Sequence, residues 1–158
     1  MNNLRSFIEL LPGPQSYCKC QSLCSQLTIE HVIPKSLIKR SGLSKSCAND
    51  LHNIYPCCSR LNGDKGSLIF GKDFLFNSDN SNHTGALSRT CLYMYEKYNL
   101  SIDTKTVSLW RELDKVHVPQ EFEITRNDII YRKTGVYNPF LMDHLSNELS
   151  DDLVEEHY

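Results

Sequence analysis

Apolar residues recur along this chain with two periods, and the change of period separates a short extended region from a helical remainder. Near-helical spacing appears first at Leu4, Phe7, Ile8 and Leu11, and Pro12, Gly13 and Pro14 end that segment in a turn. Ser16 to Ser25 has little periodicity and reads as loop. Leu27 to Val32 is rich in β-branched and apolar residues, which predicts a short strand. Lys35 to Leu43 predicts a short helix stopped around Gly42, followed by a loop from Ser44 to Asn49. Residues 67–85 scatter Phe70, Phe74 and Phe76 among Gly, Asn, Ser and Asp, a long loop with extended pieces. Asp79 to Gly85 has no apolar residue and is expected to be mobile. From Ala86 the helical period returns, with Leu87, Cys91, Tyr95 and Tyr98 on one face and Met94 beside them. Asp103 or Thr104 can cap a second helix that buries Val107, Trp110 and Leu113. Pro119 suits the first turn of a third, with Phe122, Ile129 and Ile130 apolar and Gly135 at its end. Asn138-Pro139-Phe140 is expected to be extended, and Met142 to Leu153 forms a last, weakly held helix.

The chain has 158 residues, enough for one domain with one core, and at 40% hydrophobic and 23% charged it has a soluble globular composition. No apolar run approaches the roughly 18 residues of a membrane span. The first residues are too poor in apolar side chains for a signal peptide and include Glu9, so an intracellular location is expected. Net charge is -2, which does not advertise a nucleic-acid binder. The charge is uneven, however. The segment from Asn147 to Tyr158 holds five acids and no Lys or Arg, and setting those aside leaves 17 basic residues against 14 acidic ones. We therefore divide the chain into a domain at 1–146 and an acidic tail at 147–158. Lys35, Lys39, Arg40 and Lys45 cluster in sequence; a phosphate-facing patch and an ordinary solvated face are both open readings. Seven Cys, an odd count, argue against a full disulfide framework. Cys18, Cys20, Cys24, Cys57 and Cys58 are spaced unlike a Cys-x-x-Cys zinc pair, which favours buried thiols over a structural zinc.

Candidate chemistry concentrates in two stretches. Thr28-Ile-Glu-His-Val-Ile-Pro-Lys-Ser36 places a carboxylate, Glu30, beside an imidazole, His31. Asp50-Leu-His-Asn-Ile-Tyr-Pro-Cys-Cys-Ser-Arg-Leu-Asn-Gly-Asp-Lys-Gly66 ends in an amide, Asn62, at a Gly-Asp-Lys turn. Carboxylate and amide oxygens are hard ligands that suit Mg²⁺ (or Mn²⁺), and a neutral imidazole nearby can take a proton from water. That combination fits a one-metal phosphodiesterase. Glu30 and Asn62 are its metal ligands, and His31 is its general base. Adjacent strand residues point to opposite faces, so Glu30 and His31 converge only at a bend or strand end.

Glu30-His-Val-Ile-Pro-Lys-Ser36, Asp50-Leu-His-Asn-Ile54 and Leu61-Asn-Gly-Asp-Lys65, with Leu87 to Tyr98 and with Trp110 through Glu123, Arg126 and Asn127 to Phe140, form five ordered blocks across residues 17–140. In them the chain resembles the bacterial endonuclease I family of ββα-metal (His-Me finger, HNH-like) nucleases. The resemblance implies a mainly α, α+β fold with a ββα-metal finger embedded in a helical single domain. Asp50 to Tyr55 would be the finger's second strand, ended by Pro56, and Ser59 to Asp64 would open its short helix. It implies a metal-dependent endonuclease that cuts DNA, and in some members RNA, with little sequence preference, leaving 5′-phosphate and 3′-hydroxyl ends. Asn53 would be the middle Asn that braces the loop bearing the base, and His52 is read as structural. Lys35, Lys65 and Arg89 are candidate substrate contacts, Arg89 and Arg126 also being candidates for pairing with a buried carboxylate such as Glu123. A non-exported, unspecific nuclease would endanger its host, so an inhibitor, a viral origin or packaging into a particle are partner expectations. The rival readings are a catalytically silent nucleic-acid-binding finger and a partner-binding protein using the Cys region and acidic tail.

Overall fold

The computed structural model describes residues 11, 27–75 and 81–155. The helix expected over residues 3–11 therefore lies outside the described residues, apart from Leu11. Strand β1 (Leu27–His31) pairs antiparallel with β2 (Ile54–Cys58), with Glu30 opposite Tyr55 and His31 opposite Ile54. Between them come helix α1 (Lys35–Arg40) and two 3₁₀ turns, Lys45–Asn49 and Leu51–Asn53. Helix α2 (Ser59–Lys65) follows β2 without a break. Four longer helices complete the chain: α3 (Ser81–Tyr98), α4 (Thr104–Val116), α5 (Glu121–Thr134) and α6 (Pro139–Glu155). The described residues are thus mainly helical, with one small two-stranded sheet.

Four boundaries differ from the sequence reading, each for a local reason. The second strand starts at Ile54 rather than Asp50, because Asp50 folds the chain into a turn: its Oδ1 accepts from His52 N at 3.0 Å and its carbonyl from Asn53 N at 2.8 Å. That strand runs through Pro56, which does not end it. Both strands of a two-stranded sheet are edges, where a residue without an N–H donor is tolerated. Ser81 to Gly85 is helical, not a mobile loop; α3 packs so closely there that a Cβ on Gly85 would lie 2.7 Å from His117 Cβ. Pro139 opens α6 instead of extending the chain, since proline suits a first helical position and Asn138 Oδ1 accepts from Phe140 N at 3.1 Å.

The core lies between β1–α1 and the α3–α4 pair. Val32, Ile33, Leu37 and Ile38 meet Leu87, Cys91, Leu92 and Met94 of α3 and Val107 and Trp110 of α4. Trp110 Nε1 donates to Phe70 O at 2.8 Å. The adjoining Gly71 has φ +80, and a Cβ there would come within 2.7 Å of the indole nitrogen.

Buried charge ties the helices together. Arg89 of α3 is 1% exposed. Its Nε and Nη2 donate to the Glu123 carboxylate at 2.8 and 2.7 Å, and its Nη1 to Asp114 Oδ1 at 3.0 Å and His117 O at 2.8 Å. Burial works to lower the Arg89 pKa, but the hydrogen bonds and charges of Glu123 and Asp114 win and raise it. The substrate-contact assignment of Arg89 is therefore corrected: every nitrogen of its fork is committed to α4, α5 and their connection. Arg126 of α5 donates to Leu51 O at 2.7 Å and to Ile54 O, and lies over the Tyr55 ring at 3.9 Å. His52 is buried, with Nε2 donating to Val136 O at 3.0 Å and its ring against Tyr93.

Two stability outcomes are expected. Arg89→Met leaves Glu123 and Asp114 without their cation and should cost about 3–5 kcal/mol in urea denaturation, the usual loss on removing one partner of a buried pair. A loss under 1 kcal/mol would show the network to be dispensable. His52 carries a pKa lowered mainly by burial, with Arg126 and Lys97 adding to the fall and Val136 O and Asp50 opposing it. The unfolded imidazole titrates near 6.5, so below that pH the unfolded state binds the extra proton and stability is lost as pH falls. His52→Gln should flatten the decline of the urea midpoint between pH 7 and 6; an unchanged slope contradicts the assignment.

Candidate functional site

β1 ends at His31, and the chain bends through Val32 and Ile33 into Pro34 and α1. That strand end is what allows neighbours in sequence to share a surface. Glu30, His31, Lys35 and Asn62 line one cleft of about 280 Å³, with Pro34 and Gly66 on its walls. Lys65, Asn53 and Arg89 do not line it. Asn53 is fully buried beneath it, where its Oδ1 accepts from Ile33 N at 2.8 Å and its Nδ2 donates to Ile33 O at 3.1 Å and Ala48 O at 2.9 Å. Val32 N also donates to Asn53 O at 2.9 Å. One side chain thus joins the bend after His31 to the 3₁₀ turn at Lys45–Asn49.

That turn carries Asn49, whose Oδ1 lies 3.0 Å from His31 Nε2. With Nε2–H donating to Asn49, Nδ1 holds the imidazole lone pair. The His31 pKa is lowered, chiefly by burial; Lys35 and Lys65 push the same way and the Asn49 hydrogen bond opposes them. The ring is therefore neutral at pH 7 and able to accept a proton. Asn49 had no sequence signal, being 18 residues away in a stretch read as loop. Asp50 was missed likewise. Its Oδ2 accepts from Tyr93 OH at 2.9 Å, Lys97 Nζ at 2.8 Å and Tyr98 OH at 2.8 Å, which anchors the turn region to α3. Burial works to raise the Asp50 pKa, but Lys97, Tyr98 and His52 N win and lower it.

Helix α2 supplies Asn62 and Lys65, three apart and so on one face toward β1. Asn62 Nδ2 donates to Thr28 Oγ1 at 2.9 Å and to Ile29 O at 3.1 Å, which employs both amide hydrogens and leaves Oδ1 as the donor atom for a cation. Lys65 is 7% exposed. Its Nζ donates to His31 O at 2.8 Å and Val32 O at 3.4 Å and forms an ion pair with Glu30. The assignment of Lys65 as a phosphate contact is corrected accordingly: its ammonium is turned inward, onto the strand end. Lys35, by contrast, is exposed at the start of α1, as are Lys39 and Arg40 further along it. Glu30 is 1% exposed, and its Oε1 is paired with the Lys65 ammonium. Burial raises its pKa to about 6 against the pull of Lys65.

A buried carboxylate and an amide oxygen form an oxygen donor set that fits Mg²⁺ or Mn²⁺, ions that keep several of their waters. No group of three His, Cys, Asp or Glu side chains that could hold a metal occurs among the described residues, so Glu30 is the one charged ligand this cleft offers. The zinc reading involved Cys18, Cys20 and Cys24, which lie outside the described residues, together with Cys57 and Cys58, which are buried.

No family model matches the chain. It is 24% identical, over an alignment of 160 positions, to an Endonuclease-1 of Buchnera aphidicola subsp. Acyrthosiphon pisum, covering 80% of this chain and 63% of that protein. To an extracellular deoxyribonuclease of Aeromonas hydrophila it is 23% identical, covering 83% of this chain and 69% of the other. To a periplasmic deoxyribonuclease of the same species it is 24% identical, covering 71% and 61%. The chain therefore spans less than two thirds of the Buchnera relative. Two of these names, extracellular and periplasmic, overturn the expectation of an intracellular or virion-associated protein. That expectation came from the character of the first residues alone, and the body of a fold carries no record of its compartment. Across most of its length the chain is thus similar, at 23–24% identity, to proteins named Endonuclease-1 and deoxyribonuclease, which supports its resemblance to the endonuclease I family.

Proposed function

We propose that this chain is a metal-dependent endonuclease that hydrolyses DNA with little sequence preference. β1, β2 and α2 would be its ββα-metal finger, set into the helical frame. The observation that carries the reading is the single cleft lined by Glu30, His31, Asn62 and Lys35. The names of the relatives agree with DNA as substrate and with a secreted or periplasmic location. Outside the cytoplasm the host chromosome is out of reach, and a dedicated inhibitor is not required.

Each residue has a distinct task. Glu30 and Asn62 hold Mg²⁺ or Mn²⁺, Glu30 through charge and Asn62 through a neutral oxygen. When bound, the ion neutralises the phosphate and assists the departing 3′ oxygen. His31, neutral and held through Nε2 by Asn49, accepts a proton from the attacking water at Nδ1. Lys35 meets a phosphate at the rim. Attack on phosphorus with a 3′-oxygen leaving group gives 5′-phosphate and 3′-hydroxyl ends. Asn53 acts through the backbone, holding the bend that orients His31. RNA contains the same phosphodiester and is a second expected substrate.

Supercoiled plasmid with purified protein and Mg²⁺ should be nicked and then linearised, and EDTA should abolish this. His31→Ala should slow cleavage by roughly 10²–10⁴-fold, the usual worth of a positioned general base, while DNA binding persists. Glu30→Gln should instead weaken metal binding, so that raised Mg²⁺ restores part of its activity but none to His31→Ala. Cutting by His31→Ala at the wild-type rate would remove His31 from the mechanism. Binding without metal-dependent cleavage in the wild type would make the protein a silent nucleic-acid-binding finger. Affinity measured on unrelated duplexes of equal length should fall steeply with salt and differ little between them; a hundredfold preference for one sequence contradicts phosphate-dominated binding.

A further inference from the structure

The buried ammonium at the strand end is not used by the reaction as written. Lys65 Nζ pairs with the carboxylate of Glu30, and it also donates to the carbonyls of His31 and Val32. Both charged side chains are enclosed, at 5% and 2% exposure. We propose that Lys65 is an internal counter-ion to Glu30 that keeps divalent-cation affinity low in the free protein, so that the cation is held tightly only together with a phosphodiester. This rests on the assignment of Glu30 and Asn62 as metal ligands.

Glu30 is the one charged ligand of the cleft, Asn62 is neutral, and no acidic trio occurs among the described residues. A dication entering beside Glu30 and Lys65 leaves a net local charge of two positives in a poorly solvated corner, where charges a few Å apart interact far more strongly than in water. A bound phosphodiester removes part of that excess. Lysine suits this role because its charge is a point on a flexible stem with three donors. Its two carbonyl partners can retain the ammonium when the carboxylate turns to the cation, so Lys65 need not leave its place and its repulsion persists. The same carbonyls belong to the bend that carries His31, which links occupancy of the ligand to the position of the base.

The test is Mn²⁺ titration of the folded protein followed by the electron paramagnetic resonance signal of the free ion. A hydrolysis-resistant phosphorothioate duplex is present or absent, and duplex alone is the reference. Wild-type protein should bind Mn²⁺ weakly by itself and roughly tenfold or more tightly with the duplex. Lys65→Met should raise the affinity of the free protein by roughly tenfold or more, the scale expected for removing one nearby charge. An unchanged or lower affinity in folded Lys65→Met overturns the proposal. Should that variant not fold, the wild-type comparison still decides: equal affinity with and without duplex overturns it. Glu30→Gln separates the two levels of inference. If it binds Mn²⁺ as well as wild type in both conditions, the metal-ligand assignment falls and this proposal with it. If it loses Mn²⁺ while Lys65→Met gains nothing, the counter-ion role alone is wrong.

Discussion

Everything in the cleft depends on where β1 stops. A regular strand would turn Glu30 and His31 to opposite faces of the sheet, with a ligand on one side and a base on the other. The strand ends at His31, and two buried side chains hold the bend that follows. Asn53 saturates the backbone of Ile33 from beneath, and Lys65 grips the carbonyls of His31 and Val32 from α2. Neither could be replaced by an apolar side chain without leaving buried backbone groups unsatisfied, so the bend is enforced by the cost of unmade hydrogen bonds rather than by packing alone.

The helical frame serves the same end at a distance. Asp50 collects two tyrosine hydroxyls and an ammonium from α3, which fixes the turns that present Asn49 and Asn53. Arg126 of α5 fastens the start of β2, and Arg89 locks α3 to α4 and α5. The buried arginines lie in the scaffold, while exposed Lys35 of α1 lines the cleft. Polar burial of this kind is costly, and its common feature is that it determines the position of a backbone segment leading to the site.

The burial of Glu30 and His31 has opposite electrostatic effects with one consequence. Desolvation disfavours both charged forms, raising the carboxylate and lowering the imidazole. The imidazole is thereby left neutral, as a base requires, and the carboxylate is left in need of a cation. Lys65 supplies one within the protein, and Asn49, a neutral partner, orients the ring.

Local pattern alone determined a good deal of this protein. The period of apolar residues located β1, α1, α4 and α5 closely, and the Asp103 cap and left-handed Gly135 marked ends that the backbone adopts. The Glu-His pair and the later Asn had the right chemistry for one site, and the structure brings them to one cleft. Partners were another matter. Which carboxylate Arg89 meets, that Lys65 turns inward to Glu30, and that Asn49 rather than a nearer residue holds His31 are contacts between residues 18 to 35 apart. Residue type states what a side chain can bond to but not what the fold brings within 3 Å of it. The early start of α3 at Ser81 and the helical Pro139 follow the same rule: intrinsic preference for a turn is worth about 1 kcal/mol, and close packing against Arg89 and His117 or a cap from Asn138 outweighs it.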